Sequence, residues 1–271
     1  MSKKVFIWSL ILLYLGLPFN HPAQVVRSKD EAIRSIRDNF ISRNSEFEIF
    51  VDRGSLMQLL EGIENIDFLD AATAIDDKDT SADADYLKAS VISWTAAWSI
   101  LDDNTAKLNF AADYRTTKEQ EEELEREIEA ALASLDIGNA TDYEKIKLIH
   151  DYIVELAVYD QSLTRYSAYN VFVDKSAVCL GYAAAAYRMF TDAGIESRII
   201  AGIADSQQHV WNIVKLDGVW YNIDLTWDDP IGSNGESLIS YDFFLKNMED
   251  FICHERAPAY STEETMERHM M

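Results

Sequence analysis

The sequence predicts an α+β fold in which a helix carrying a thiol packs on an antiparallel sheet, beside a smaller N-terminal region that mixes helix and strand. Three observations predict it. Helix-periodic runs open on capping boxes at Thr116 and Thr141. Two strand-like runs meet at Asp217-Gly218, the strongest short-range signal for a two-residue hairpin. Between them, Cys179 stands at the head of an alanine-rich helical run.

The elements follow in order. Residues 30–41 have helical spacing through Ala32, Ile33, Ile36 and Phe40, residues 47–51 read as extended, and residues 56–69 form a second helical run. The Asp-dense segment 75–85 lacks the glycine and terminal Glu of a calcium loop and reads as a solvated loop. Ile92, Trp94, Ala96, Trp98 and Ile100 alternate, as do Leu108, Phe110, Ala112 and Tyr114 beyond a turn-rich stretch, so these runs predict a hairpin with an aromatic stripe in the core. Thr116 with Glu119 caps a helix carrying Leu124, Ile128, Ala131, Leu132 and Leu135, and Thr141 with Glu144 caps one carrying Ile146, Ile149, Ile153 and Leu156. Residues 180–193 predict a helix stopped at Gly194, and residues 197–203 a strand. The expected division is a leader at 1–25, an N-terminal α+β region at 28–116, a catalytic domain at 117–260 and a tail at 261–271.

Composition narrows the function. With 271 residues and 48% hydrophobic content the chain can bury a sizeable core. A formal net charge of -23 repels phosphate backbones and anionic lipid, so nucleic acid is not an expected partner. Lys3 and Lys4 precede an apolar run of residues 5–19, the pattern of a signal peptide with Ala23 as the best cleavage residue, or of an uncleaved anchor. Either places the remainder in an extracytoplasmic space, and a membrane contact would come only through that segment. Cys179 and Cys253 could pair as a structural disulfide, but the surroundings of Cys179 suit a nucleophile. No second ligand pair accompanies Cys253 and His254 at zinc spacing, so neither a metal site nor a cofactor is expected.

At a helix N-terminus the unpaired N–H groups and the dipole lower the pKa of a thiol, which suits Cys179. Gly181 and the alanines at 183–186 keep one face of that helix thin enough to lie close to a sheet. The Asp217-Gly218 turn sets a register in which opposed residue numbers are fixed: Leu216 faces Val219, Val214 faces Tyr221, Asn212 faces Ile223, and His209 faces Thr226. Val210, Asn212, Val214, Leu216, Val219, Tyr221, Ile223 and Leu225 then form a nearly apolar core face. His209, Trp211 and Asp224 share the other, with His209 and Asp224 as diagonal neighbours about 7 Å apart at the backbone, within reach of a side-chain hydrogen bond. A carboxylate on one imidazole nitrogen leaves the other to take a thiol proton.

The string from Ser167 through Cys179-Leu180-Gly181-Tyr182, and the string His209-Val210-Trp211 through Asp224 to Pro230, resemble the bacterial transglutaminase-like domain over about residues 141–230. The likeness extends to the helix at His150 upstream and to residues 241–245 and His254 downstream. The resemblance implies a papain-like α+β core with Cys179 as nucleophile, His209 as general base and acid, and Asp224 as the orienting carboxylate. Many relatives have Gly where Asn170 stands, so the loop before the thiol differs from theirs. An oxyanion hole would use the Cys179 N–H. Tyr169, Gly181 and Trp211 are candidates for its second donor or for the substrate site. Asp228 and Asp229 resemble loop-closing residues and carry no expected catalysis. The expected substrate is a protein or peptide, such as one of the cell surface or wall, attacked at a peptide or carboxamide bond. Hydrolysis, transamidation and an inactive interaction module are the three outcomes such a domain allows.

Overall fold

A computed structural model of the chain describes residues 25–60, 68–75, 77, 80–229 and 239–260. The expected leader or anchor, apart from its last residue, the tail 261–271 and the middle of the predicted helical run 56–69 lie outside the described residues. Among the described residues no helix is long and apolar enough to cross a membrane. The chain divides into two compact units: one built from residues before 77 and from 90–115, the other from residues 77–89 and from 116 onward.

In the first unit, α1 (Lys29–Ile41) begins where the Ser28 side chain accepts the Glu31 N–H, and it buries Ala32, Ile33, Ile36 and Phe40. β1 (Glu46–Asp52), β2 (Val91–Ile100) and β3 (Thr105–Tyr114) form an antiparallel sheet in the order β1-β3-β2, with α2 (Arg53–Leu60) and α3 (Phe68–Thr73) between β1 and β2 in the chain. The predicted hairpin is β2–β3, with Ala96 opposite Phe110 and Trp98 opposite Leu108. Phe47 stacks on Phe110 at 4.8 Å between ring centroids and Phe40 meets Phe47 edge-on at 5.6 Å, which makes these rings the centre of this core. Trp94 and Trp98 lie on the edge strand and are only half-buried, so the aromatic stripe is core on β3 and partly solvated on β2.

The second unit is built from helices followed by a sheet. α5 (Lys118–Ser134) is capped by Thr117 and Gln120, one residue beyond the predicted box, because Thr116 turns its hydroxyl to Glu121 instead. α6 (Asp142–Leu156) starts on the predicted Thr141–Glu144 capping box and buries Ile146, Ile149 and Ile153. β4 (Val158–Tyr159) pairs in parallel with β5 (Ser176–Ala177), and α7 (Cys179–Asp192) follows directly. Gly194, at φ +80°, ends the helix in the left-handed conformation that favours glycine. Four antiparallel strands, β6 (Ser197–Ala204), β7 (Gln207–Leu216), β8 (Val219–Ile223) and β9 (His254–Arg256), take the order β8-β7-β6-β9. α7 lies against β6 and β7, and Asn212 donates to the Ala183 carbonyl at 3.0 Å.

The segment read as a solvated loop is held down at its C-terminal end. Ser81, Asp83 and Ala84 are buried, and residues 84–89 belong to α4 (Ala84–Ser90). The reason is Arg188 on α7, which is 1% exposed and needs acceptors: its Nε donates to Ser81 Oγ at 2.6 Å, and its guanidinium pairs with Glu125. Asp85 in turn accepts from Arg198 Nε at 2.6 Å and from the Ile199 N–H at 3.0 Å.

The β7–β8 hairpin has the predicted register: Asn212 faces Ile223, Val214 faces Tyr221 and Leu216 faces Val219. Asp217 and Gly218 both take positive φ, 51° and 80°, as a type I′ turn requires. The predicted pairing of His209 with Thr226 does not form, because β8 stops at Ile223. Asp224 then draws the Thr226 and Trp227 N–H groups onto its side chain and turns the chain away, leaving His209 opposite Gly202 of β6. The face carrying Trp211 and Ile213 is also apolar: with Ile200 and Phe251 they form a second core cluster.

Gly202 lets this second layer close. A Cβ there would lie 2.1 Å from the Glu255 carbonyl oxygen and 2.5 Å from the Trp211 ring. Gly202→Ala is expected to lower unfolding stability by about 1–3 kcal/mol, the usual penalty of overpacking. Urea unfolding checks this, and an unchanged midpoint would show that β9 and Trp211 are not held against β6.

Candidate active site

Cys179 is the first residue of α7, preceded by Val178 in extended conformation. At this position its N–H has no intrahelical partner, and it donates to no acceptor among the described residues. Gly181 fixes the helix start: a Cβ there would lie 2.6 Å from the Ala177 Cβ and 3.0 Å from the Ser167 carbonyl oxygen. Its part is therefore close approach of the helix to the segment beneath, rather than contact with a ligand. Cys179 is partly exposed and Cys253 exposed, and both are free thiols.

His209 lies on β7, and Cys179 is near enough to stabilise its charged ring. Its Nε2 is 2.6 Å from Asp224 Oδ2. Burial alone would lower the pKa of this imidazole, but the hydrogen bond to Asp224 and the neighbouring Cys179 outweigh it and raise the pKa to about 10. Asp224 is buried, which pushes its carboxyl up, yet hydrogen bonds from His209 and from a second histidine, His254, hold it below the usual carboxylate range. The structure thus joins His209 to Asp224 through Nε2 and sets Cys179 near the same ring.

Two further candidates fall elsewhere. Tyr169 donates its hydroxyl to Glu123 of α5 at 2.9 Å, so that group is spent away from the thiol. Trp211 is 1% exposed, donates Nε1 to Asn222 Oδ1 at 3.2 Å, and lies parallel to the His209 ring at 6.0 Å. It backs the histidine from the core and cannot touch a substrate. A tyrosine on the strand paired with the segment before the thiol is Tyr159: burial, with the charge of Cys179 the next contribution, holds its hydroxyl above the ordinary tyrosine value. Nothing in the periodicity singles it out. It is placed by the pairing of Tyr159 with Ala177, two residues before the thiol.

His254 is the other residue that sequence reasoning left without a role. Its Nε2 is 3.0 Å from Asp224 Oδ2 and its Nδ1 2.9 Å from the Ile252 carbonyl. His209, Asp224 and His254 bring three ligand atoms within 4.8 Å of one another. The nitrogen–oxygen separations of 2.6 and 3.0 Å are hydrogen-bond lengths, shorter than the roughly 3.4 Å that tetrahedral zinc imposes on its ligands. This set fits shared protons better than a metal.

Around this cluster, two buried acids tie down the turn after Asp224. Asp228 Oδ2 meets His150 Nε2 at 3.2 Å and its Oδ1 accepts the Phe243 N–H at 2.9 Å, while Tyr182 donates to Asp229 at 2.6 Å. Burial pushes both carboxyls above their ordinary value.

Residues 129–225 match the transglutaminase-like superfamily, a span that contains Cys179, His209 and Asp224 and stops short of His254. That span is a transglutaminase-like domain. Among solved structures the chain is similar to a TGase, at 14% identity with 74% of this chain and 59% of that one covered and a TM-score of 0.38. A candidate cysteine protease of Cytophaga hutchinsonii shares 14% identity over 62% of this chain and 74% of its own, with a TM-score of 0.35. For a candidate protease of Parabacteroides distasonis the identity is 11%, the coverage 72% and 44%, and the TM-score 0.28. The chain thus spans 59% of the length of the TGase and 44% of that protease. No curated protein sequence matches it. The mixed helix and sheet of the second unit is the α+β core expected of a transglutaminase-like domain.

The raised pKa of His209 links stability to pH. An unfolded histidine titrates near about 6.5, so between that pH and about 10 the folded domain holds a proton that the unfolded chain has lost. The contribution is complete below about pH 6.5 and disappears as pH rises through about 10. Because an unfolded thiol keeps its own proton up to about pH 8.5, urea unfolding should show the native domain losing roughly 2 kcal/mol chiefly between about pH 8.5 and 10, with a shallower loss in His209→Gln. Parallel slopes in the two proteins would refute the assignment.

Proposed function

We propose that the transglutaminase-like domain is a cysteine hydrolase acting on peptide or carboxamide bonds through a thioester. The observation that carries this reading is Cys179 at a helix N-terminus near His209, whose ring is hydrogen-bonded to Asp224. With Nε2 facing Asp224, Nδ1 is the nitrogen left to exchange a proton with the thiol, forming a thiolate and an imidazolium. The thiolate sulfur adds to the substrate carbonyl carbon, and the oxygen takes the negative charge beside the Cys179 N–H. When the C–N bond breaks, His209 gives its proton to the departing amine and the acyl group stays on sulfur. Water then attacks the thioester with His209 taking its proton. The carboxylic acid leaves and the thiol is restored.

Asp224 contributes without accepting a proton: it selects the tautomer and compensates the imidazolium charge. Tyr159, paired with Ala177 two residues before the thiol, is suited to contact the substrate on the side of β4. The expected substrate is a protein or peptide met in an extracytoplasmic space, a location that rests on the apolar run near the N-terminus alone.

The test uses Cys253→Ser protein, so that Cys179 is the only thiol. Iodoacetamide is expected to alkylate Cys179 readily near pH 6, and His209→Ala should return the pH midpoint to that of a free thiol, about 8.5. A midpoint near that value already present with His209 intact would sink the activated-nucleophile reading. In a screen of peptides and carboxamides, Cys179→Ala should abolish turnover, and Asp224→Asn should lower it by about 10²–10⁴-fold. Incorporation of an added primary amine in place of hydrolysis would assign the enzyme to transamidation instead.

A further inference from the structure

The buried environment of Asp224 contains one ionisable group that this mechanism does not use. His254 has a fully buried side chain, on the strand next to β6. Its ring is enclosed by Trp227 at 4.5 Å, Phe251 at 4.0 Å, Trp211 at 5.2 Å and Phe243 at 5.3 Å between centroids. The titratable groups that face it among the described residues are Asp224 and, 5.7 Å away, His209. On its own strand, Arg256 turns to Asn222 Oδ1 at 2.7 Å, and Glu255 is exposed.

Both ring nitrogens of His254 face oxygens that accept. Nδ1 meets a backbone carbonyl, which can only accept, so Nδ1 carries a hydrogen. Nε2 meets Asp224 Oδ2, while Asp224 Oδ1 already accepts the Thr226 and Trp227 N–H groups at 3.0 and 3.3 Å. An unprotonated nitrogen here would turn its lone pair on a carboxylate, so the geometry suits a hydrogen on Nε2 as well, the imidazolium form. The buried Asp224 carboxylate then has a histidine on each side of Oδ2 and is not left an uncompensated ion.

We propose that His254 is a positioning residue for the proposed reaction, holding the shared Asp224 oxygen against His209 and limiting how tightly His209 keeps its proton. The proposal rests on the reading of Cys179, His209 and Asp224 as an acyl-transfer triad. Without the second positive charge, the whole field of the carboxylate would act on His209. The general acid would then release its proton to the leaving amine less readily. His254→Gln keeps a donor toward Asp224 and removes the charge, whereas His254→Ala removes both.

The experiment is ¹⁵N-histidine NMR of Cys253→Ser protein together with alkylation of Cys179 across pH. At pH 7 both nitrogens of His254 should carry protons. In His254→Gln the His209 midpoint should rise by about one pH unit, a tenfold tighter hold on the proton. His254→Ala should slow Cys179 alkylation near pH 6 by about tenfold or more through lost orientation, with His254→Gln recovering most of that rate but not the midpoint. A His254 ring with a single proton, or a His209 midpoint unmoved in His254→Gln, would overturn the proposal, as would one tightly bound divalent metal ion per chain in the purified protein. The two readings fail differently. Free-thiol behaviour of Cys179 with His254 present defeats the triad itself, whereas an activated Cys179 indifferent to both His254 variants defeats only the role of His254.

Discussion

The carboxylate of Asp224 is the constraint on which the rest of the domain depends. It is 1% exposed, and an anion removed from water at this depth must be met by donors on both oxygens. It has four: the Thr226 and Trp227 N–H groups on Oδ1, and His209 and His254 on Oδ2. The two backbone donors end β8 and turn the chain. The two histidines belong to β7 and β9, on either side of β6. Satisfying one charge therefore fixes where a strand stops, how the segment 239–260 returns to the sheet, and which way the imidazole beside Cys179 points.

Much of this was legible in the sequence, for definite reasons. A side-chain period of two and a turn with φ positive at both central residues leave one register for β7 and β8, so pairing His209 with Asp224 needed only Asp217-Gly218 and the apolar face. The end of α7 followed from Gly194, and its close approach to the sheet from the small residues along its face. The His209–Thr226 pairing failed because hydrophobic alternation continues through Leu225 and cannot register that a side chain has captured the next two N–H groups. Trp211 was misplaced for a related reason. Alternation assigns one face to the core, whereas here both faces are covered, the second by Phe251, about forty residues away in sequence.

Tyr159 and His254 mark the limit of local reasoning. Tyr159 comes to Cys179 through a two-residue parallel pairing, too short to leave any periodic signal. His254 arrives through β9, three residues long, and its only local trace is Gly202, the strand glycine that allows β9 and the Trp211 ring to approach β6. The buried end of the segment 75–85 escapes such a reading because its partner is Arg188, a long cation in a largely apolar helix, whose need for acceptors a reading of the acidic segment alone cannot supply.

The turn after β8 extends the same principle to the rest of the domain. The Asp228 N–H closes onto the Asp224 carbonyl at 3.1 Å, so residues 224–229 form a compact turn that points three buried carboxyl groups in three directions. Asp224 reaches β7 and β9, Asp228 reaches His150 on α6, and Asp229 reaches Tyr182 on α7, one helical turn beyond Cys179. The helix that carries the thiol and the strand that carries the imidazole are thereby referred to one short peptide. A displacement of that turn would move nucleophile and base together, which is how a site assembled from distant segments can keep a hydrogen-bond distance constant. In a chain of net charge -23 these three acids lie outside the solvated surface, so the acidity that governs its solubility and the acidity that builds its site come from different residues.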